Sequence, residues 1–226
     1  HRDLHSFPTR RSSDLAAEDY CGRVLRLIGG LAADRTRPVA GIAMAAASGN
    51  TLLWDDGGAP LTPIISWLDK RLDWTPPAAW RVREVTGWPA IPMFPLMHLE
   101  WFRREHPAWL RQAKIGMNND FLTWLLSGRR AVDTSSATPF YLLDQARGCW
   151  HQAYLEYYGI AASQLPELVR PGTVIGALKA EYASGALSSG AAIVAGSFDH
   201  PAAARAAGVT VPGDMLLSCG TSWVGF

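Results

Sequence analysis

IVAGSFDHPAAARAAGV, residues 193–209, joins a short apolar run, Ala191 to Gly196, to an alanine-rich segment that begins at Pro201. The run reads as a buried strand and the segment as a helix to about Ala207, so the stretch is a βα unit. In open α/β sheets the groups just beyond the carboxyl ends of strands line the ligand crevice, which puts Asp199 where a catalytic carboxylate is expected. Aspartate ahead of a first-turn proline is also a common helix cap, and spacing alone leaves both roles open.

Downstream, Met215 to Cys219 reads as another strand, running into Gly220, Thr221 and Ser222. Backbone N–H groups freed by a glycine turn, with two hydroxyls, can cradle phosphate oxygens without a lysine; an ordinary hairpin turn fits the same residues. Upstream, Thr173 to Gly176 reads as a strand followed by a helix to about Ser184. The region from Pro95 to Leu126 has helix-period apolar positions, broken at Pro107 and closed by Gly128. Ala16 to Ala33 reads as an amphipathic helix with Tyr20, Val24, Leu27, Ile28 and Leu31 on its apolar face. Between these helices, Val39 to Ala46, Thr51 to Trp54 and Ile64 to Trp67, separated by Ser48-Gly49-Asn50 and Asp55-Asp56-Gly57-Gly58, predict a small β-meander.

That meander ends in Trp67-Leu68-Asp69-Lys70-Arg71. An indole beside a carboxylate and a guanidinium suits a polyol: the ring packs on C–H faces while Asp69 and Arg71 satisfy hydroxyls in pairs. A core aromatic followed by a solvated, locally paired helix start is the competing reading. His98, on a helical stripe, and His200, beside Asp199, have ordinary packing roles open to them, and the ten tryptophans are chiefly core material.

With 226 residues, 48% hydrophobic and 18% charged, the chain can bury the core of one sizeable domain or two small ones. A net charge of +1 supplies no broad electrostatic footprint for nucleic acid or an anionic membrane. Cys21, Cys149 and Cys219 are widely separated with no CxxC pair, which argues against a disulfide framework or a structural zinc and fits a reducing cytosol. No apolar run reaches the roughly 18 residues that span a bilayer. Neither HExxH spacing nor a GxxxxGK[ST] phosphate loop occurs. His1 to Leu15, HRDLHSFPTRRSSDL, stands apart: it has three arginines and no usable apolar period. Asp3 and Asp14 count against a transit peptide. The segment resembles peptides translated through sequencing adaptors and is expected to be non-native or disordered.

In combination, Val39 to Arg71, Asn118 to Asp144 (NNDFLTWLLSGRRAVDTSSATPFYLLD) and Ile193 to Trp223 resemble, in order, spacing and residue type, the FGGY carbohydrate kinases. The resemblance implies an α/β, ribonuclease H-like domain of the actin, hexokinase and Hsp70 type, with a mixed sheet flanked by helices. It implies transfer of the ATP γ-phosphoryl group, with Mg²⁺, to a hydroxyl of a sugar or polyol held between two such domains. By the family pattern Asp199 is the base, Trp67, Asp69 and Arg71 contact the sugar, and Gly220, Thr221 and Ser222 approach the ATP phosphates. The family's opening Asp-x-Gly-Thr turn does not occur. Residues 16–226 are therefore expected to be an incomplete N-terminal domain, with the second domain starting near 213–226 and no activity in the isolated chain. Met44 to Asn50, MAAASGN, stands where xylulokinases have Gln-Met-His-Gly, and Met93 where glycerol kinases have a sugar-contacting tyrosine, so neither xylulose nor glycerol is favoured. A cytoplasmic location and a sugar or polyol partner follow, and a homodimer is left open. Two other readings stay in view. A non-catalytic carbohydrate-binding or regulatory protein of the same fold would not need Asp199, and an actin-like structural ATPase would have no use for Trp67 to Arg71.

Overall fold

The computed structural model describes residues 14–33, 35–219 and 223–225. The chain opens with helix α1 (Ala17–Ala33), whose first turn carries Glu18 and Asp19 against the positive end of the helix dipole. Its Ala17, Cys21 and Ala32 are buried, with Tyr20, Val24 and Ile28 packed against them, while Leu27 and Leu31 of the expected apolar face are exposed. Strands β1 (Gly41–Ala46) and β2 (Leu52–Trp54) follow. Then come a short helix α2 (Val82–Thr86), α3 (Phe94–Glu105), α4 (Pro107–Gln112), strand β3 (Lys114–Gly116) and α5 (Asn118–Ser127). Pro107 starts α4, and Gly128, at φ 79°, closes α5 by donating its N–H to the Trp124 carbonyl.

The middle of the chain holds β4 (Ala131–Asp133), α6 (Thr134–Ala137), a two-residue antiparallel pair β5 (Leu143–Asp144) and β6 (Cys149–Trp150), and α7 (Gln152–Tyr158). Last come β7 (Glu167–Val169), β8 (Val174–Ala177), β9 (Ala192–Phe198), α8 (Asp199–Ala206), and an antiparallel pair of β10 (Leu217–Cys219) and β11 (Trp223–Gly225).

The sheet that positions the site has the order β1-β9-β8, with β1 parallel and β8 antiparallel to β9. Two expectations are corrected here. The meander does not form one sheet: β1 joins β9, whereas β2 pairs antiparallel with β3, and among the described residues the hairpin segment makes isolated bridges, Trp54 to Pro60, Thr51 to Ile65 and Leu15 to Ile64. Small residues make the difference, because the glycines and alanines of β1 and β9 let the backbones approach so closely that a Cβ on Gly196 would lie 1.7 Å from the Met44 carbonyl oxygen. The helix expected after Thr173 to Gly176 is instead one 3-10 turn at Ala180–Tyr182, followed by a bridge between Ser184 and Leu187. The βα unit is as read, β9 passing directly into α8.

Two apolar clusters flank this frame. One gathers α3, α7 and the loops around them about Leu96, Leu99, Phe102, Phe140 and Tyr154. The other lies among α1, β2, α5 and β9 about Trp54, Phe121, Leu122 and Ile193. No helix among the described residues is long and apolar enough to cross a membrane. All three cysteines are free thiols.

Candidate active site

Ala46 and Phe198, at the carboxyl ends of the parallel strands β1 and β9, are register partners. The loop after β1 and the start of α8 therefore leave the sheet side by side, the arrangement that opens a crevice at strand ends. Asp199 is half-buried there. One carboxylate oxygen accepts the His200 N–H at 2.8 Å, and the other has no hydrogen bond among the described residues.

The β1 loop carries Ser48, buried with its hydroxyl unpartnered among the described residues. Next to it Gly49 sits at φ 85°, where a Cβ would lie 2.7 Å from the Phe94 ring. Asn50 ties this loop to the predicted sugar motif: its Oδ1 accepts the Trp67 N–H at 3.1 Å and its Nδ2 donates to Asn118 Oδ1 at 3.0 Å. Trp67 stacks on Phe94 with centroids 5.8 Å apart and planes 16° apart, and Phe94 stacks on Tyr141 at 5.3 Å and 23°. Both Phe94 and Tyr141 hold φ at 66°. Bulky residues adopt that region only when their surroundings fix them, and such residues gather at functional sites.

Asp69 and Arg71 meet as a fork. The Arg71 Nε donates to Asp69 Oδ1 at 2.9 Å and Nη2 to Oδ2 at 3.0 Å, Nη2 also reaches Asp14, and the guanidinium lies 5.0 Å from the Trp101 ring centroid. Both side chains are buried. Burial alone would push the Asp69 carboxyl up, but hydrogen bonds and charge from Arg71 outweigh it and hold it below the usual carboxylate range. Close by, His98 is fully buried with its Nδ1 2.7 Å from the Thr51 hydroxyl. Burial, then the Arg71 charge, drives its pKa down to about 3, so the ring is neutral.

The structure thus brings Trp67 to the strand-end region through Asn50, fits Asp69 and Arg71 to each other behind it, and puts Asp199 at the β9–α8 junction. Gly220, Thr221 and Ser222 lie outside the described residues. Asn50, Phe94 and Tyr141 were not singled out from the sequence. The Asn beside Ser-Gly was a usable turn signal, whereas a positive φ at an aromatic residue leaves no trace in residue type. Among the described residues no group of three His, Cys, Asp or Glu side chains could hold a metal ion.

The mixed sheet flanked by helices, with Asp199 at the end of β9, has the actin- and hexokinase-like ATPase fold, as its superposition on solved sugar kinases shows. The chain belongs to the FGGY family of carbohydrate kinases: the model of that family's N-terminal domain matches residues 34–205. It is 31% identical over 197 residues to an apulose kinase of Pectobacterium atrosepticum, covering 81% of this chain and 40% of that protein. To a xylulose kinase of Escherichia coli K12 it is 32% identical over 186 residues, covering 79% and 38%. The crystal structure of xylulose kinase from Rhodospirillum rubrum superposes with a TM-score of 0.79 at 26% identity, over 93% of this chain and 46% of that one. The chain spans about 40% of the length of the curated relatives it matches.

Proposed function

We propose that this chain is part of an ATP-dependent kinase that phosphorylates a hydroxyl of a sugar or polyol, with Asp199 as general base and Trp67 as a wall of the sugar site. The observation that carries the reading is the β9–α8 junction: a half-buried carboxylate beside the β1 loop, with one oxygen engaged by the next amide and the other without a described partner. Membership of a carbohydrate kinase family supports it.

Phosphoryl transfer asks more for positioning and charge stabilisation than for covalent work. Asp199 orients the substrate hydroxyl and takes its proton as the oxygen attacks. Trp67, backed by Phe94 and anchored by Asn50, offers a flat face to sugar C–H groups. Asp69 and Arg71, a buried fork joined by Asp14, hold the end of that segment in place and are proposed to meet sugar hydroxyls beside Trp67. ATP supplies the phosphoryl group when bound, with Gly220, Thr221 and Ser222 as the residues proposed to approach its phosphates. Mg²⁺ fits as an ion arriving on the phosphates, since it keeps several waters and needs only one or two carboxylates, and the described residues form no metal cage. The Asp-x-Gly-Thr turn occurs nowhere in these 226 residues, so turnover is proposed for the full gene product that carries this chain and not for the chain alone.

The test is Asp199→Asn in that gene product. A fall in kcat of about 10³-fold or more with sugar affinity within about threefold is expected. Activity within a few-fold of the parent would remove Asp199 from the role. Sugar binding with no turnover in the parent itself would favour a carbohydrate-binding protein instead.

A further inference from the structure

The β4–α6 corner reaches across to the β9–α8 junction through one serine. Asp133, the last residue of β4, is buried, and its Oδ1 accepts both the Ser135 hydroxyl and the Ser136 N–H, the latter at 2.9 Å. Ser135 in turn accepts the backbone N–H of Phe198 at 3.0 Å, from 63 residues away in sequence. We infer that Ser135, oriented by Asp133, is a positioning residue that fixes the β9–α8 backbone and thereby the direction of Asp199; this rests on the reading of Asp199 as the base.

The direction of each bond is set by chemistry. A hydroxyl has one hydrogen, and the Phe198 N–H can only donate, so a Ser135 lone pair takes that N–H and the Ser135 proton goes to Asp133. Phe198 stands just ahead of α8 and offers that helix no side-chain cap. Pro201 has no N–H to donate, and the His200 N–H is taken by Asp199 itself. The torsions that swing the Asp199 side chain are therefore held on the strand side, by the pairing of Phe198 with Ala46 and by Ser135. Losing the hydroxyl frees the Phe198 amide and lets the carboxylate drift, and a shift of about 1 Å at a reacting group can cost about 10²-fold in rate.

The experiment compares Ser135→Ala, Ser135→Thr and Asp199→Asn in the full gene product that carries this chain. Sugar-dependent ADP release is measured with a panel of pentoses, hexoses and polyols at a temperature where circular dichroism shows each variant folded. Ser135→Ala is expected to lower kcat about 10- to 100-fold with the sugar KM within about threefold. Threonine, which keeps the hydroxyl, is expected to restore kcat to within about threefold of the parent. Should the alanine variant not fold, Ser135→Cys, close in volume and a weak acceptor, takes its place with the same split expected. A kcat within about twofold of the parent for Ser135→Ala, alongside an inactive Asp199→Asn, would overturn the inference and leave the base in place. Equal losses in the alanine and threonine variants would make Ser135 a structural residue only and also overturn it. An active Asp199→Asn would instead overturn the base assignment on which the inference rests.

Discussion

Replacing Gly196 by alanine tests whether the close approach of β1 and β9 is what holds the site together. The new Cβ would meet the Met44 carbonyl oxygen at 1.7 Å, its carbonyl carbon at 2.6 Å and its nitrogen at 2.9 Å. All three are backbone atoms, so no side chain can swing aside. Clearing the oxygen to the 3.0 Å that real Cβ atoms respect moves one strand by about 1.3 Å. That is enough to break the pairing just beyond, Ala45 with Ser197 and Ala46 with Phe198. Two ladder hydrogen bonds at about 1 kcal/mol each, with a buried group left unsatisfied at about 1–3 kcal/mol, put the loss at about 3–5 kcal/mol. Urea unfolding of the chain followed by far-ultraviolet circular dichroism reads it directly. Gly29→Ala is the control, because Gly29 lies inside α1 with nothing within 4 Å of its Cβ position. There alanine should stabilise by about 0.5–1 kcal/mol. A Gly196→Ala protein within about 1 kcal/mol of the parent would refute the steric reasoning.

Trp67→Ala should weaken sugar binding about tenfold or more in calorimetry of the full gene product while leaving ATP affinity within about twofold, since the proposed function puts the ring in the sugar half alone; equal losses would make it a core residue. His98, neutral and buried with a pKa near 3, favours folding fully above its ordinary value of about 6.5. That contribution drains as pH falls from about 6.5 toward 3, because the unfolded chain takes the proton first, so the urea midpoint of His98→Gln should gain on the parent over that range. Asp120 acts with the opposite sign. Burial raises its pKa to about 7, so its contribution is full below about 4 and lost as pH rises toward 7. Asp120→Asn, which keeps an acceptor for the Met117 N–H, should gain on the parent as pH rises from about 4 to 7. A difference between either variant and the parent that does not change with pH would contradict the corresponding assignment.

The parts legible in the sequence are those where residue type and local conformation coincide. Gly196 and Pro201 bracket the β9–α8 turn, Pro107 and Gly128 punctuate the helices, and the apolar period of Ala16 to Ala33 gave α1 to within one residue. What stayed hidden depends on partners distant in sequence. Lys114–Gly116 is three residues long and carries no strand pattern, and only its pairing with Leu52–Trp54 makes it β3. The left-handed Phe94 and Tyr141 are imposed by packing in the aromatic stack. That Asp69 and Arg71 form a buried fork joined by Asp14 is set by packing, and their spacing does not show it. Ser135 likewise reads as one hydroxyl among several until β9 is folded against it.

Phosphoryl transfer itself is the most direct test. The full gene product that carries this chain is incubated with Mg²⁺, γ-labelled ATP and a panel of pentoses, hexoses and polyols, beside its Asp199→Asn variant, and label in the sugar fraction is counted. Label on at least one member of the panel, absent without Mg²⁺ and lost in Asp199→Asn, is the expected result. ATP hydrolysis indifferent to every sugar, or sugar phosphorylation undiminished in Asp199→Asn, would contradict it.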